Sequence, residues 1–284
     1  MSVQDASVDP LHALLELMER LRDPNTGCPW DLKQDFSTIV PHTIEEVYEL
    51  VDAIEARDFE QVGDELGDVL FQIVFYAQLG KERGLFDFMG VVERLTEKLV
   101  RRHPHVFESQ SAGSSDDLAI SESLVRENWE HIKQQERSRK KLNGVLDDVP
   151  QALPALIRAQ KLQKRVARVG FDWPDSSGAW AKVDEEMREL TEAVTTGDSV
   201  AIEAEVGDVL IAVVNLARHL GVDAETAARR ANSRFENRFR AMEQSASEQG
   251  VALDTEPLEK LEERWQEAKK RLAGDRLASS ADGV

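Results

Sequence analysis

The sequence predicts an all-α protein built as two tandem, duplicated helical bundles. Three observations carry that prediction. Helix-forming residues dominate and β-branched runs are short. Apolar residues recur at helical spacing, as in Leu11, Leu14, Leu15, Met18 and Leu21. The third is a duplication: Glu45, Glu46, Glu49, Glu65 and Asp68 recur 140 residues later as Glu185, Glu186, Glu189, Glu205 and Asp208. Repetition of this kind sets the domain plan before any single element is considered.

Residues 1–9 are polar and read as a flexible tail. A first helix follows to Leu21, and the segment DPNTGCPWD is a loop of breakers. Thr43 and Glu46 have capping-box spacing, so the next helix is expected to begin near Ile44 and end near Arg57. Asp58 can cap a helix that runs to about Arg83 and stops at Gly84. Another spans roughly Phe88 to Arg102, before Pro104. The Ser-rich stretch 108–123 reads as a mobile loop, followed by a helix through Trp129 and Lys133. The polar run ERSRKKLNGVLDDVP reads as a linker. The second half repeats the plan: a helix from about Pro154 to Val169, the breaker loop GFDWPDSSG, the acid-bearing pair, a helix around Ala224 to Gln244, and a last helix with Trp265 and Lys269. The expected domains are residues 10–145 and 146–272, with 273–284 a second flexible tail.

The register of the repeat argues against coincidence. Downstream of the acids the offset becomes 136, pairing Lys98 with Arg234, Arg102 with Arg238, Trp129 with Trp265 and Lys133 with Lys269. A net loss of four residues, about one helical turn, explains both offsets and preserves the face.

Bulk properties exclude several classes. A formal net charge of −19 opposes specific nucleic-acid binding and anionic membrane surfaces. The single cysteine, Cys28, permits no internal disulfide and reads as structural. No apolar run is long enough to span a membrane, and the N-terminus lacks a signal core, so a cytoplasmic location is expected. Neither a P-loop nor a dinucleotide-binding glycine pattern is present.

The acids point to a metal. Residues three or four apart share a helix face, so Glu185, Glu186 and Glu189 form one patch, and Glu205 with Asp208 another. The intervening loop, Thr195 to Ser199, suits an antiparallel hairpin that brings the patches together. At ~4 Å and an effective dielectric of ~20, each like-charge pair costs on the order of 4 kcal/mol. A divalent ion reverses that sign, and all-oxygen donors favour Mg2+ or Mn2+ over Zn2+. A solvated acidic face is the competing reading. Against it, Gly67 and Gly207 imply close helix approach beside the acids, and Asp68 and Asp208 abut the apolar runs VLFQIVF and VLIAVVN. A di-iron carboxylate bundle requires Glu-x-x-His pairs, which the sequence lacks. His42, His103, His105, His131 and His219 read as surface or capping residues.

Basic and aromatic companions fit a polyphosphate ligand. Arg234 and Arg238 are four apart, as are Trp265 and Lys269. Guanidinium forks suit phosphate oxygens, and an indole can stack on a base. Lys182 lies three residues before Glu185, where the first half carries His42.

Taken together, EExxE…ExxD, its duplication, the GCPWD loop, RRHPHVF and GFDWP resemble the MazG family of nucleoside triphosphate pyrophosphohydrolases, over about residues 10 to 272. The resemblance implies two helical domains, a homodimer, and Mg2+-dependent hydrolysis of NTPs and dNTPs to monophosphate and pyrophosphate. It implies Mg2+ ligation by Glu186, Glu189, Glu205 and Asp208, and nucleotide contact or orientation by Lys182, Glu185, Arg234, Arg238, Trp265 and Lys269. Glu185, or a carboxylate among the ligands, would take a proton from water. Glu46, Glu49, Glu65 and Asp68 would form a second metal site in the first repeat, with activity mainly in the second. A narrower house-cleaning or alarmone hydrolase, and a non-catalytic metal-stabilised interaction protein, are the alternatives.

Overall fold

The computed structural model describes residues 9–107, Trp129, Ile132, Glu136 and 144–281, with side chains to residue 273. The chain divides into two compact units, residues 1–135 and 136–284. All regular structure among the described residues is helical. The mobile-loop reading of 108–123 and the helical placement of Lys133 lie outside the described residues.

The first unit contains α1 (Pro10–Leu21), α2 (Val40–Ala56), α3 (Phe59–Glu82), α4 (Phe88–Arg102) and the short α5 (Pro104–Phe107). Asp9 caps α1 by accepting from the Leu11 N–H. A 3-10 turn at Asp31–Lys33 closes the breaker loop. Helix α2 begins four residues before the expected Ile44. Pro41 sits in its first turn, where its fixed φ favours helix and its missing N–H is not needed. Thr43 therefore lies inside the helix: its hydroxyl donates to the Ile39 carbonyl at 3.1 Å and meets the Tyr76 hydroxyl at 2.9 Å. Arg57 ends α2 in the left-handed region at φ 60°, and Asp58 caps α3 as expected. Helix α3 packs on α1, α2 and α4. The core gathers Met18, Ile39, Val74, Phe75 and Leu79, with Leu14, Leu15, Phe36 and Phe71 against them.

The second unit contains α6 (Ala155–Ala167), α7 (Ser176–Thr196), α8 (Ser199–His219), α9 (Ala224–Glu248) and α10 (Leu258–Ala281). Helix α10 runs on into the stretch expected to be a tail, where Leu, Arg and Ala favour continuation. Helices α7 and α8 form the most extensive pair; α6 packs on α8, and α9 joins α6 to α10. Two small cores result, one around Ala159, Val214 and Ala224, the other around Ala241, Met242 and Ala268.

Candidate active site

The hairpin α7–α8 is set by its turn. Gly197 takes φ 72°, a conformation that needs no Cβ, and Asp198 then caps α8 by accepting from the N–H groups of Val200 and Ala201. The chain reverses within these two residues, so the acids of one helix face those of the next. Glu186, Glu205 and Asp208 each offer an oxygen, all within 4.8 Å of one another. Glu186 is only 5% exposed. Lys182 Nζ donates to Glu186 Oε1 at 2.7 Å and to Glu185 Oε1 at 2.9 Å. Those bonds pull the Lys182 pKa upward and the Glu185 pKa downward. Glu189 falls outside the tight trio, yet desolvation and repulsion from Glu186 push its pKa up. One atom tests whether a cation fits: Glu205 Oε2 is buried without a hydrogen-bond partner. A buried unpaired carboxylate oxygen is costly, and a hard cation satisfies it.

The first unit repeats the arrangement with differences. Glu46, Glu49 and Glu65 converge within 4.8 Å, and Asp68 acts on Glu46 through its charge. Glu65 Oε2 is also buried and unpartnered, matching Glu205 Oε2. Burial, then Asp68 and Glu49, raise the Glu46 pKa; burial and Glu65 raise that of Glu49. His42 sits 3.8 Å from Glu45 and edge-on to Trp30 instead of bridging to Glu46.

The basic and aromatic set lies on the α9–α10 pair. The Arg238 guanidinium stands 5.6 Å from the Trp265 ring, which also meets Phe235 at 5.1 Å. Arg234 is one turn before Arg238 on α9, and Lys269 one turn after Trp265 on α10. Among the described residues, no hydrogen bond or ion pair joins these four to Glu186, Glu205 or Asp208. In the first unit Trp129 meets His103 at 6.0 Å.

Two sequence expectations are corrected. Gly67 and Gly207 do not mark close helix approach, because a Cβ built at either meets nothing within 4 Å. The acids converge through the turn between the helices, without help from a glycine groove. His219 is not a surface residue: it is largely buried and lies 3.0 Å from Asp172 Oδ1, which Arg218 also contacts. These bonds, led by Arg218, lower the Asp172 pKa and fasten the loop before α7 to the end of α8. Sequence reading missed this anchor, since Asp172 and His219 are 47 residues apart. It also missed Gln61 and Gln72, which comparing the non-acidic positions of the two halves would have exposed.

Paired acid-bearing helical hairpins, each with a buried and unpartnered carboxylate oxygen, define a class of duplicated all-α proteins with clustered carboxylates. The family model for the MazG nucleotide pyrophosphohydrolase domain matches residues 34–107 and 177–242. The nucleoside triphosphate pyrophosphohydrolase of Escherichia coli K12 is 48% identical over 268 residues, covering 93% of this chain and 98% of that one. The nucleoside triphosphate pyrophosphohydrolase/pyrophosphatase MazG of Thermotoga maritima is 43% identical, covering 90% and 94%. A nucleoside triphosphate pyrophosphohydrolase of Mycobacterium tuberculosis is 34% identical over 55% of this chain and 44% of its own. The chain belongs to the MazG nucleotide pyrophosphohydrolase family and is a hydrolase. Among the described residues, no helix is long and apolar enough to cross a membrane.

Proposed function

We propose that the chain hydrolyses nucleoside triphosphates, both NTPs and dNTPs, to monophosphate and pyrophosphate with Mg2+ (or Mn2+), chiefly at the α7–α8 hairpin, in the cytoplasm. The carrying observation is the convergence of Glu186, Glu205 and Asp208 around an unpartnered buried oxygen. The names of the full-length relatives support the substrate class. Glu186, Glu205 and Asp208, with Glu189 at the edge, would hold the cation. When bound, it neutralises charge on the phosphate oxygens and lowers the pKa of a nearby water. Lys182 fixes Glu186 and Glu185 in position. Glu185 is half-exposed and paired with Lys182 beside the cluster, where it would take a proton from water once the lysine turns to the nucleotide. Trp265 offers a stacking face for the base, and Arg234, Arg238 and Lys269 offer charge for the phosphates. Hydrolysis at the α-phosphorus then releases pyrophosphate.

The assay is direct. Purified protein with ATP and Mg2+ is expected to release pyrophosphate, across a panel of NTPs and dNTPs, and EDTA should stop it. Turnover of one damaged or unusual nucleotide alone would replace the broad reading with a narrower one. No turnover, with Mg2+ still raising the melting temperature, would favour a metal-stabilised interaction protein.

The partner proposed for this chain is a second copy. Trp180, Met187 and Val206 remain exposed on the α7–α8 hairpin, as do Val47, Leu66 and Leu70 on α2 and α3. Contiguous exposed apolar residues mark association surfaces. Sedimentation velocity is expected to give about twice the 31.9 kDa chain mass, and a monomer at micromolar concentration would refute the dimer.

A further inference from the structure

The two acid clusters differ in what brackets them. On α3, positions 61, 65, 68 and 72 follow one helix face, carrying Gln61, Glu65, Asp68 and Gln72. The matching α8 positions carry Ala201, Glu205, Asp208 and Ala212. The acids persist in both halves, while both glutamines are alanines in the second.

The glutamines engage the acids. Gln61 Nε2 donates to Glu65 Oε1 at 3.3 Å, leaving Glu65 Oε2 buried without a partner. Gln72 is only 5% exposed, reaches from α3 to α2, and donates to Glu46 Oε1 through a long 3.5 Å bond. Its own Oε1 is buried and has no partner. Two unpartnered oxygens thus lie on one face, beside carboxylates that repel one another. An unsatisfied buried acceptor is destabilising. A carboxamide oxygen is a hard donor of the kind that divalent cations accept. Rotation about the terminal torsion of Gln72, which is soft, exchanges its N–H2 and oxygen ends.

We propose that the first-half cluster is a closed divalent-cation site in which Gln72 supplies a carboxamide oxygen, while the second-half cluster stays open at that position for substrate. At the position that matches Gln72 the second half has no such donor: Ala212 ends at its Cβ, and Lys182 already bonds Glu186. Fewer protein oxygens leave more of the cation's shell to water and phosphate, which is how Mg2+ sites that act on phosphates are built. Among the described residues of the first half, no lysine pairs with Glu46, and an amide oxygen is added instead. The duplication has diverged into a site that holds a cation alone and a site that holds a cation with nucleotide.

The proposal rests on reading both acid clusters as cation sites, and its test separates the two. Mn2+ binding to the full-length protein is followed by the EPR signal of the free ion, with water-proton relaxation reporting the bound ion's hydration. The wild type is expected to show two classes of site, one removed by Glu65→Gln and the other by Glu205→Gln. Gln72→Met, similar in volume but without an oxygen donor, should weaken the first-half class roughly tenfold or more, while Gln72→Glu keeps it. Adding a non-hydrolysable ATP analogue should change relaxation in the Glu65→Gln protein and leave it unchanged in Glu205→Gln. Circular dichroism checks folding, and Gln72→Ala, the second-half residue, serves if methionine packs badly. Unaltered Mn2+ binding in both acid variants would sink the cation reading itself. If each removes one class but the Gln72 variants bind like wild type, or nucleotide alters the first-half ion, the closed-site proposal is wrong and the proposed activity stands.

Discussion

Glu205→Gln is expected to cut pyrophosphate release from ATP on the order of 10²–10³-fold, while Glu65→Gln at the matching position leaves most of it. Glu205 belongs to the converging trio and carries the buried unpartnered oxygen. The substitution keeps the volume and removes one negative charge. A folding defect would therefore not explain the loss. Without cation, the melting temperature should rise, because a repulsion inside the α7–α8 hairpin disappears. The rise that Mg2+ gives to the wild type should shrink in the variant. Activity by steady-state assay and melting by circular dichroism read the two effects separately. Equal activity loss in both variants would show that the two hairpins share the work.

Arg22→Met is expected to destabilise the first unit by about 3 kcal/mol, which lowers its melting temperature by roughly 10 °C. The Arg22 side chain is 6% exposed and forms a two-pronged pair with Glu82, at 2.8 and 2.7 Å. It also donates to the carbonyls of Asp31 and Gln34 and lies over the Phe75 ring. One guanidinium thus ties the end of α1, the breaker loop and the end of α3. Methionine fills the space but leaves Glu82 with Gln78 as its donor, and takes the Arg22 donor from two carbonyls. Glu82 is partly exposed and recovers some hydration, which keeps the cost at the lower end for a broken buried pair. Thermal unfolding checks the size, and a change below about 1 kcal/mol would mean that water replaces the pair without penalty.

Much of the fold was legible because local chemistry agrees with the final packing. Asp58 and Asp87 cap α3 and α4 with their own carboxylates, so those helix starts are written in adjacent residues. The end of α4 at Arg102 follows from Pro104 two residues on. The start of α2 was misjudged because Pro41 outweighed the capping pattern of Thr43. The glycines misled for a related reason: a glycine inside a helix implies a close neighbour only if one is present, and open space lies beside Gly67 and Gly207.

The sequence by itself determined the helical class, the duplication and the acids that pair in it, since periodicity and spacing are local properties of a chain. Its tertiary structure decided which oxygens meet. It placed Glu205 and Glu65 with one buried unpartnered oxygen each, set Gln72 against Glu46, and joined Asp172 to Arg218 and His219. Those facts depend on how one helix turns against the next, and no spacing along a single helix encodes that angle.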